Sequence, residues 1–407
     1  TKTLVNLRQN APVFNVLSDN RGQDKYLQHA CVMALMQIND LAGLVEAAGN
    51  ESDDIRLGAV LALRRLERQE ISVFLKDKNH DIVVEAARAI NDVPIEGAQQ
   101  QLAQLIQRAN LPEPALSRAI NAQYRLGNTE NAAYLISFAQ DEGAKETLRV
   151  QAILMLAKWA NPPRRDSITG LWRPQQPRDF RSAAVPLRLA LGKLLNDVPD
   201  SVKRASIGAM VALDLKDESE LLIQLVQSEE NEDSVIVDAV DALASLESPR
   251  LIEALTMARA SESDVIYAAA VRHQSKLKPE DALKLFKIDL TKNSVQVRQA
   301  AIKGIASLKS PEAIALLDQL MSQLLDGSLN SSLTLELVEV AASSKSEIIR
   351  QKLKIYHESL PIDDSLAAYR LTLKGGNASQ GRTLFQERQD FGCMRCHALG
   401  KQGGKVG

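Results

Sequence analysis

The side chains most able to do chemistry are gathered at the end of the chain, in the stretch FGCMRCHALGKQGGKVG from Phe391 to Gly407. Two of the three cysteines, Cys393 and Cys396, lie there, and His397 follows the second directly. Cysteines three positions apart in a helix lie about one turn apart on nearly the same face. Their thiols can therefore add to the two vinyl groups of one porphyrin edge, and the next histidine is placed under the iron. This spacing predicts covalently attached haem c, with His397 as the iron ligand.

Other sites also use cysteine pairs with this spacing. A structural zinc site needs four ligands, usually from two such pairs, and this chain has no second pair. A thioredoxin-like dithiol is expected in a βαβ setting, and the flanking residues show none. A chance match is the third alternative, although the chain has only one other cysteine, Cys31. The haem site is therefore the preferred interpretation.

Composition excludes several classes of function. The net charge of the 407-residue chain is -2 and no region is strongly basic, which argues against nucleic acid as a partner. No uninterrupted apolar stretch approaches the length of a transmembrane segment. We find no glycine-rich phosphate loop and no nucleophile elbow, so the sequence identifies no catalytic residue. Aromatic residues are only 4% of the chain, and abundant Ala and Leu favour helices over strands.

A nine-residue pattern recurs along the chain and predicts stacked pairs of helices. It begins with an apolar residue, here named the opener, and has a small residue at its fifth position. The openers are Leu27, Ile55, Ile82, Leu148, Val202, Val235, Val265 and Val297, with a weaker copy at Ala115. The matching small residues are Cys31, Ala59, Ala86, Ala152, Ser206, Ala239, Ala269 and Ala301. Apolar positions three and four apart form one helical stripe, and a small side chain lets a neighbouring helix approach.

Spacing and caps agree with this prediction. The openers recur at intervals of roughly thirty residues, which is typical of a helix-pair solenoid. Possible N-cap residues stand directly before five openers: Asp54, Asp81, Ser201, Ser234 and Asp264. The pattern resembles HEAT repeats, including the Val-Arg pair at Val297-Arg298 and close matches at Ile55-Arg56 and Leu148-Arg149. We therefore predict an all-α, HEAT-like α-solenoid of about nine or ten helix pairs, right-handed in stacking.

One interval between openers is too long for a single repeat. The excess is NPPRRDSITGLWRPQQPRDFRS, residues 161–182, with four prolines, five arginines and Trp172. One interpretation is a surface loop that packs Trp172 against the solenoid. The other is a docking loop that turns its Trp and Arg side chains to a partner, because these residue types often anchor interfaces. The arginines proposed for that role are Arg164, Arg165, Arg173 and Arg178.

The repeat pattern is lost after residue 357. We predict an N-terminal segment at 1–23, the solenoid at 24–357 with the insertion 161–182, a linker at 358–376 and a separate domain from 377 to 407. The last part resembles the start of a cytochrome c domain, with Gly381 and Phe385 in a helix before the cysteines. The resemblance implies that Phe385 packs near the haem and that Gly403, Gly404 and Gly407 begin the following loop. It also implies a truncated domain, and we expect the segment from Asn377 to be poorly packed.

The combination of repeats, insertion and haem motif resembles the multidomain haem-binding proteins of the planctomycete–verrucomicrobial type. That resemblance implies an internal fragment, with a dehydrogenase-like β-propeller upstream as a partner for electron transfer. Any sugar or alcohol dehydrogenase activity would belong to the whole protein, so whether it is an enzyme stays open. The resemblance and the c-type haem motif imply an extracytoplasmic location, in the periplasm or at the cell surface. The alternative is a protein-interaction scaffold that has no redox activity of its own.

Overall fold

The computed structural model describes residues 9–387, 392–400 and 402–406. The chain divides into two compact units, Thr1–Ser248 and Pro249–Gly407. This division into compact units does not locate the first or last repeat, so the domain boundaries predicted from the sequence stay predictions. Among the described residues, no helix combines the length and apolar character needed to cross a bilayer.

The described part of the first unit is built from α-helices joined by short 3-10 helices. The α-helices are α1 (Ala11–Asn20), α2 (Lys25–Ile38), α3 (Leu41–Glu46), α4 (Asp53–Arg65), α5 (His80–Asp92), α6 (Gln99–Gln104), α7 (Glu113–Leu126), α8 (Thr129–Gln140), α9 (Glu146–Ala157), α10 (Arg181–Leu195), α11 (Asp200–Ala212), α12 (Ser219–Gln227) and α13 (Asp233–Ser245). The 3-10 helices are Ala47–Gly49, Gln69–Lys76, Glu96–Ala98, Leu105–Gln107 and Lys216–Glu218.

The second unit continues the helical architecture and ends in a small hairpin. Its α-helices are α14 (Leu251–Ala260), α15 (Asp264–His273), α16 (Pro279–Asp289), α17 (Val295–Leu308), α18 (Pro311–Leu325), α19 (Thr334–Ser343), α20 (Glu347–Glu358), α21 (Ala378–Glu387) and α22 (Cys393–Cys396). Its 3-10 helices are Gln274–Lys276, Ser331–Leu333 and Ala367–Leu373. Strands β1 (Ala398–Leu399) and β2 (Gln402–Gly403) pair antiparallel.

The helices that carry the repeat pattern, here named opener helices, pack against one another in series within each unit. In the first unit α4, α5, α7, α9, α11 and α13 each contact the next, and in the second α15 contacts α17. The small residues at the fifth position are all buried, and Ala59, Ala239 and Ala301 have no exposed surface. A larger side chain there would separate the helices, so the pattern reports real close packing. The predicted all-α, HEAT-like solenoid fold is confirmed.

Two details of the predicted register are wrong. Leu27 and Val265 are 38% and 43% exposed, and the residue after each opener, Gln28 or Ile266, lies in the core instead. The predicted N-caps fall inside the helices, because each helix begins one or two residues earlier than expected. At α5 the cap is Asn79, whose side chain accepts a hydrogen bond from the Asp81 amide. Asp81 therefore lies in the first turn, where a carboxylate is favoured by the helix dipole.

Burial ends well before the described residues do. Ile349 of α20 is the last buried side chain, and every side chain described after it is half-buried or exposed. The helix and the turn predicted near Phe385 and Cys393 are present as α21 and α22. They contact each other without forming a core, so the described part of 377–406 is not a packed domain.

Candidate functional site

The insertion contains a short hairpin whose backbone is fixed by its own hydrogen bonds. Arg165 and Trp172 form an antiparallel bridge. Next to it, the Arg173 amide donates to the Arg164 carbonyl at 2.9 Å, and the Asp166 amide donates to the Leu171 carbonyl at 2.8 Å. The carboxylate of Asp166 also accepts the amides of Ile168 and Thr169, each at 3.0 Å. This segment, 164–173, is here named the insertion hairpin.

Asp166 joins the insertion hairpin to the opener helices. Its side chain has no exposed surface, and its Oδ2 accepts a hydrogen bond from Nδ2 of Asn121 on α7 at 3.0 Å. Arg173 and Arg125 approach the same oxygen at 3.4 and 3.6 Å. Burial favours the neutral acid, but the hydrogen bonds and the Arg173 charge outweigh it, so the pKa of Asp166 lies below its ordinary value. The hairpin is therefore held by a buried, ionised carboxylate.

Arg173 at the end of the hairpin and two side chains after it donate to carbonyl groups at the ends of α5 and α7. Arg173 Nη1 donates to the carbonyl of Asn91 at 2.7 Å, and Gln175 Nε2 donates to that of Arg125 at 2.8 Å. Arg178 Nη1 donates to the Tyr124 carbonyl at 2.5 Å. The last carbonyls of a helix have no partner within the helix, and cationic donors suit the negative end of its dipole.

Arg178 is also held between two aromatic rings. Its guanidinium carbon lies 4.6 Å from the ring centre of Tyr124 and 4.4 Å from that of Trp159, which is fully buried. Gly127, the C-cap of α7, has a positive φ of 68°, and a Cβ there would lie 1.9 Å from Arg178 Nη1. Burial lowers the pKa of the Arg178 guanidinium, as expected for a charge taken out of water.

The outer side of the insertion hairpin has a different character. Leu171 and Trp172 are 51% and 59% exposed, and the guanidinium of Arg164 lies 5.7 Å from the Trp172 ring centre. Arg164 and Arg165 are exposed, and neither forms an ion pair within the described residues. The interpretation that packs Trp172 against the solenoid is wrong for that residue, and the docking interpretation stays a prediction for the exposed residues. Trp172 is not packed against the solenoid, whereas Arg173 and Arg178 are packed and cannot face a partner.

The predicted haem-attachment residues lie in a short turn at the end of the chain. Cys393 and Cys396 are the first and last residues of α22, both thiols are free, and Cys396 is exposed. His397 follows with extended backbone, and its amide donates to the Cys393 carbonyl at 2.9 Å. His397 is exposed and Phe385 is half-buried. The turn has the spacing that attachment needs, but the described residues around it provide no buried apolar wall.

The residues after the motif fold back onto this turn. The amides of Gly404 and Val406 donate to the carbonyls of Met394 and Cys396 at 2.8 and 3.1 Å. Gly403 has a positive φ of 105°, and a Cβ on Gly404 would lie 2.1 Å from the Arg395 carbonyl oxygen. Gly407, the third glycine of the predicted loop, lies outside the described residues. Within the described part, no three His, Cys, Asp or Glu side chains are grouped as they would be to hold a metal ion.

Comparison with known proteins identifies the fold but no family. No protein-family model matches the chain, and no curated protein matches it. Solved structures of Kap121p, a karyopherin, resemble it. Kap121p bound to Pho4p has a TM-score of 0.53 at 15% identity, covering 89% of this chain and 43% of Kap121p. Kap121p alone has a TM-score of 0.53 at 14% identity, and Kap121p bound to RanGTP has a TM-score of 0.53 at 16% identity. Each of these two matches covers 92% of this chain and 44% of Kap121p.

This chain therefore spans less than half the length of the Kap121p structures that it matches. At such low identity the likeness shows the fold alone. It corrects the predicted resemblance: the identification with multidomain haem-binding proteins is wrong, because the matched structures are karyopherin solenoids. The classification as a cytochrome c electron-transfer protein is wrong with it, and these comparisons give no support to a dehydrogenase partner.

Neither finding tests the attachment residues themselves. The haem c contacts therefore stay predictions, at Cys393, Cys396, His397 and Phe385. The extracytoplasmic location inferred from the haem motif also stays a prediction. Sequence reasoning missed Asp166 and Asn121, because an isolated Asp or Asn has no recognisable spacing. The available signal was the run Asp-Ser-Ile-Thr-Gly, whose first residue is typical of a turn in which a carboxylate accepts following amides.

Proposed function

We propose that this chain is a protein-interaction scaffold, in which a HEAT-like stack of helices presents the insertion hairpin to a protein partner. The observation that carries the proposal is Trp172, which is 59% exposed although the backbone on both sides of it is fixed. An aromatic side chain held on an ordered backbone loses little freedom on binding, which favours affinity. Trp and Arg are the residue types most enriched among interface residues that dominate binding energy.

The partner's chemistry follows from the exposed side chains of the hairpin. Leu171 and Trp172 provide apolar surface, and Arg164 and Arg165 provide positive charge beside it. A matching surface has an apolar cleft for the indole and carboxylates at its rim, because guanidinium groups pair with carboxylates bidentately. This proposal keeps the insertion as a docking element but reduces its binding residues to those four.

Site-specific crosslinking tests the proposal. A photoreactive phenylalanine is placed at Leu171, and the purified chain is irradiated in lysate of the native cells. We expect a discrete protein adduct that is lost when Trp172→Ala is added. The matched control carries the same group at Tyr26, an exposed aromatic position (90%) on α2, outside the insertion. Equal adducts at both positions, or an adduct that does not depend on Trp172, would overturn the proposal.

The haem prediction is separate and needs its own test. If haem c is attached, Cys393 and Cys396 would hold it through thioether bonds and His397 would ligate its iron; the cofactor would supply a redox-active iron. The supporting observation is that both cysteines begin and end one helical turn, with His397 exposed beside it. Expression beside a c-type haem attachment system should give haem staining on a denaturing gel, lost in Cys393→Ser with Cys396→Ser. Absence of stain from the wild-type chain would reject the site.

A further inference from the structure

A pocket of about 450 Å³ lies within the second unit, among α16, α17, α18 and the loop before Ser331–Leu333. Arg298 and Lys287 contribute positive charge to its lining, and Gln319 and Gln323 contribute side-chain amides. Several leucines, including Leu290, form its apolar part. No Asp or Glu is among the described residues that line it. The pocket is thus cationic, rich in hydrogen-bond donors and partly apolar.

The Nε of Arg298 has no hydrogen-bond partner among the described residues, although the side chain as a whole is half-buried. This nitrogen is inaccessible to solvent. No described carboxylate forms an ion pair with it. A buried donor left without an acceptor costs free energy, and more so when the group is charged. An anion that entered the pocket would supply the Arg298 guanidinium with a counter-charge that no described carboxylate provides.

In two other repeats the Nε of the equivalent arginine has an acceptor within the chain, although Arg149 Nη2 is itself buried without one. Arg56 Nε donates to Asp77 Oδ2 at 2.8 Å, and its Nη2 lies 2.5 Å from Asp53 Oδ1. Arg149 Nε donates to the Ala139 carbonyl at 2.8 Å. Each of these three arginines follows its opener directly.

The residue three positions before the arginine differs between these repeats. It is acidic in two of them, Asp53 and Glu146, and it is Val295 before Arg298. In the same turn of the helix, Asp53 reaches Arg56. The repeat of α17 therefore keeps the arginine but not the carboxylate at this position.

We infer that this pocket binds an acidic side chain, Asp or Glu, of a peptide segment in the partner protein. The planar guanidinium fork of Arg298 matches a carboxylate bidentately, whereas Lys287 at the exposed edge acts as a point charge. The leucines would contact the methylene groups of the ligand. The volume falls within the range of ligand clefts, roughly 300–1,000 Å³. This inference rests on the proposed scaffold function and adds the chemistry of a second contact.

Peptide binding tests the pocket. The probe is fluorescein-labelled hexaglutamate, measured by fluorescence anisotropy against hexaglutamine. We expect Arg298→Gln to weaken hexaglutamate binding about tenfold, because a charge-assisted hydrogen-bond pair is lost. The matched control is Lys284→Gln, which removes one positive charge from the exposed face of the same α16 that carries Lys287. Binding through Arg164 and Arg165 is a background that these variants share.

A second pair of variants tests the pocket while Arg298 itself is kept. Val295→Asp supplies the carboxylate that Arg56 receives from Asp53, so it should weaken hexaglutamate binding as much as Arg298→Gln does. Val295→Asn, of nearly the same size, should bind like the wild type. Equal affinities for all variants, or displacement of hexaglutamate by inorganic phosphate at lower concentration than by free glutamate peptide, would overturn the inference. If crosslinking at Leu171 still depends on Trp172, only the pocket fails and the proposed function stands.

Discussion

The insertion 161–182 and the C-terminal segment 377–406 both lack the repeat pattern, and both carry residue types with candidate functions. Their structures differ in one respect. The insertion places Asp166 and most of Arg173 in the protein interior, with side-chain exposures of 0% and 9%. The described part of the C-terminal segment has no buried side chain. An irregular stretch is therefore fixed in place when its polar groups meet unsatisfied helix ends, whatever its own secondary structure.

Loss of the Asp166 carboxylate should have the largest effect. Asp166→Ala removes the buried counter-charge of Arg125 and leaves Arg173 with only the exposed Glu96, and both arginine side chains are largely buried. We expect the free energy of unfolding to fall by about 3 kcal/mol, measured by urea denaturation. The control is Asp179→Ala in the same insertion, where the side chain is 61% exposed and the change should stay within about 0.5 kcal/mol. Equal effects of the two substitutions would mean that the anchor contributes nothing.

Substitution of Gly127 should lower the free energy of unfolding by an intermediate amount. The loss has two parts, backbone strain at positive φ and displacement of Arg178. Gly127→Ala places a Cβ at positive φ and displaces Arg178, so we expect a loss of about 2 kcal/mol from α7 and the insertion together. Gly170→Ala is the matched control, because its φ of 69° is nearly the same and nothing lies within 4 Å of the added Cβ. It should carry only the backbone cost, about 1 kcal/mol. Identical thermal shifts for the two variants would show that Arg178 is not packed as described.

Acid should weaken the insertion through a single carboxylate. The pKa of Asp166 is lowered in the folded chain, because hydrogen bonds and Arg173 outweigh burial. Its contribution is therefore present above the unfolded-state pKa of about 3.9 and is lost as the pH falls through the lower folded-state pKa. Below about pH 4 the unfolding free energy of the wild type should fall more steeply with decreasing pH than that of Asp166→Asn. Parallel curves for the two proteins would contradict this assignment.

Removal of the C-terminal segment should have the smallest effect. Truncation after Gly376 deletes no described side chain that is buried, and it keeps the hydrogen bond from Gln299 to the Gly375 carbonyl. Scanning calorimetry should show unchanged transitions. A transition shifted to lower temperature would mean that the segment stabilises the solenoid, and the contrast between the two regions would fail.

The sequence predicted buried positions correctly where the packing of neighbouring helices repeats at a regular local spacing. Openers such as Val202 and Val235 and small residues such as Ala239 were located because helix packing imposes a local period. Prediction failed where partners are distant along the chain: Arg173 bonds the Asn91 carbonyl, 82 residues away. No local pattern distinguishes that arginine from Arg164, which is exposed. The haem motif failed for a different reason. Its local spacing is specific, but it led to a family that the fold does not support.

Amide hydrogen exchange read by mass spectrometry tests most directly whether the insertion is an anchored platform. The informative amides are those of Asp166, Gly170 and Arg173, which donate to Leu171, Asp166 and Arg164 carbonyls at 2.8 to 2.9 Å. We predict slow exchange for peptides covering 164–178 in the wild type, fast exchange in Asp166→Ala, and fast exchange of Ala378–Glu387 in both proteins. If residues 164–178 of the wild type exchange as fast as Ala378–Glu387, the insertion is not anchored and the account is contradicted.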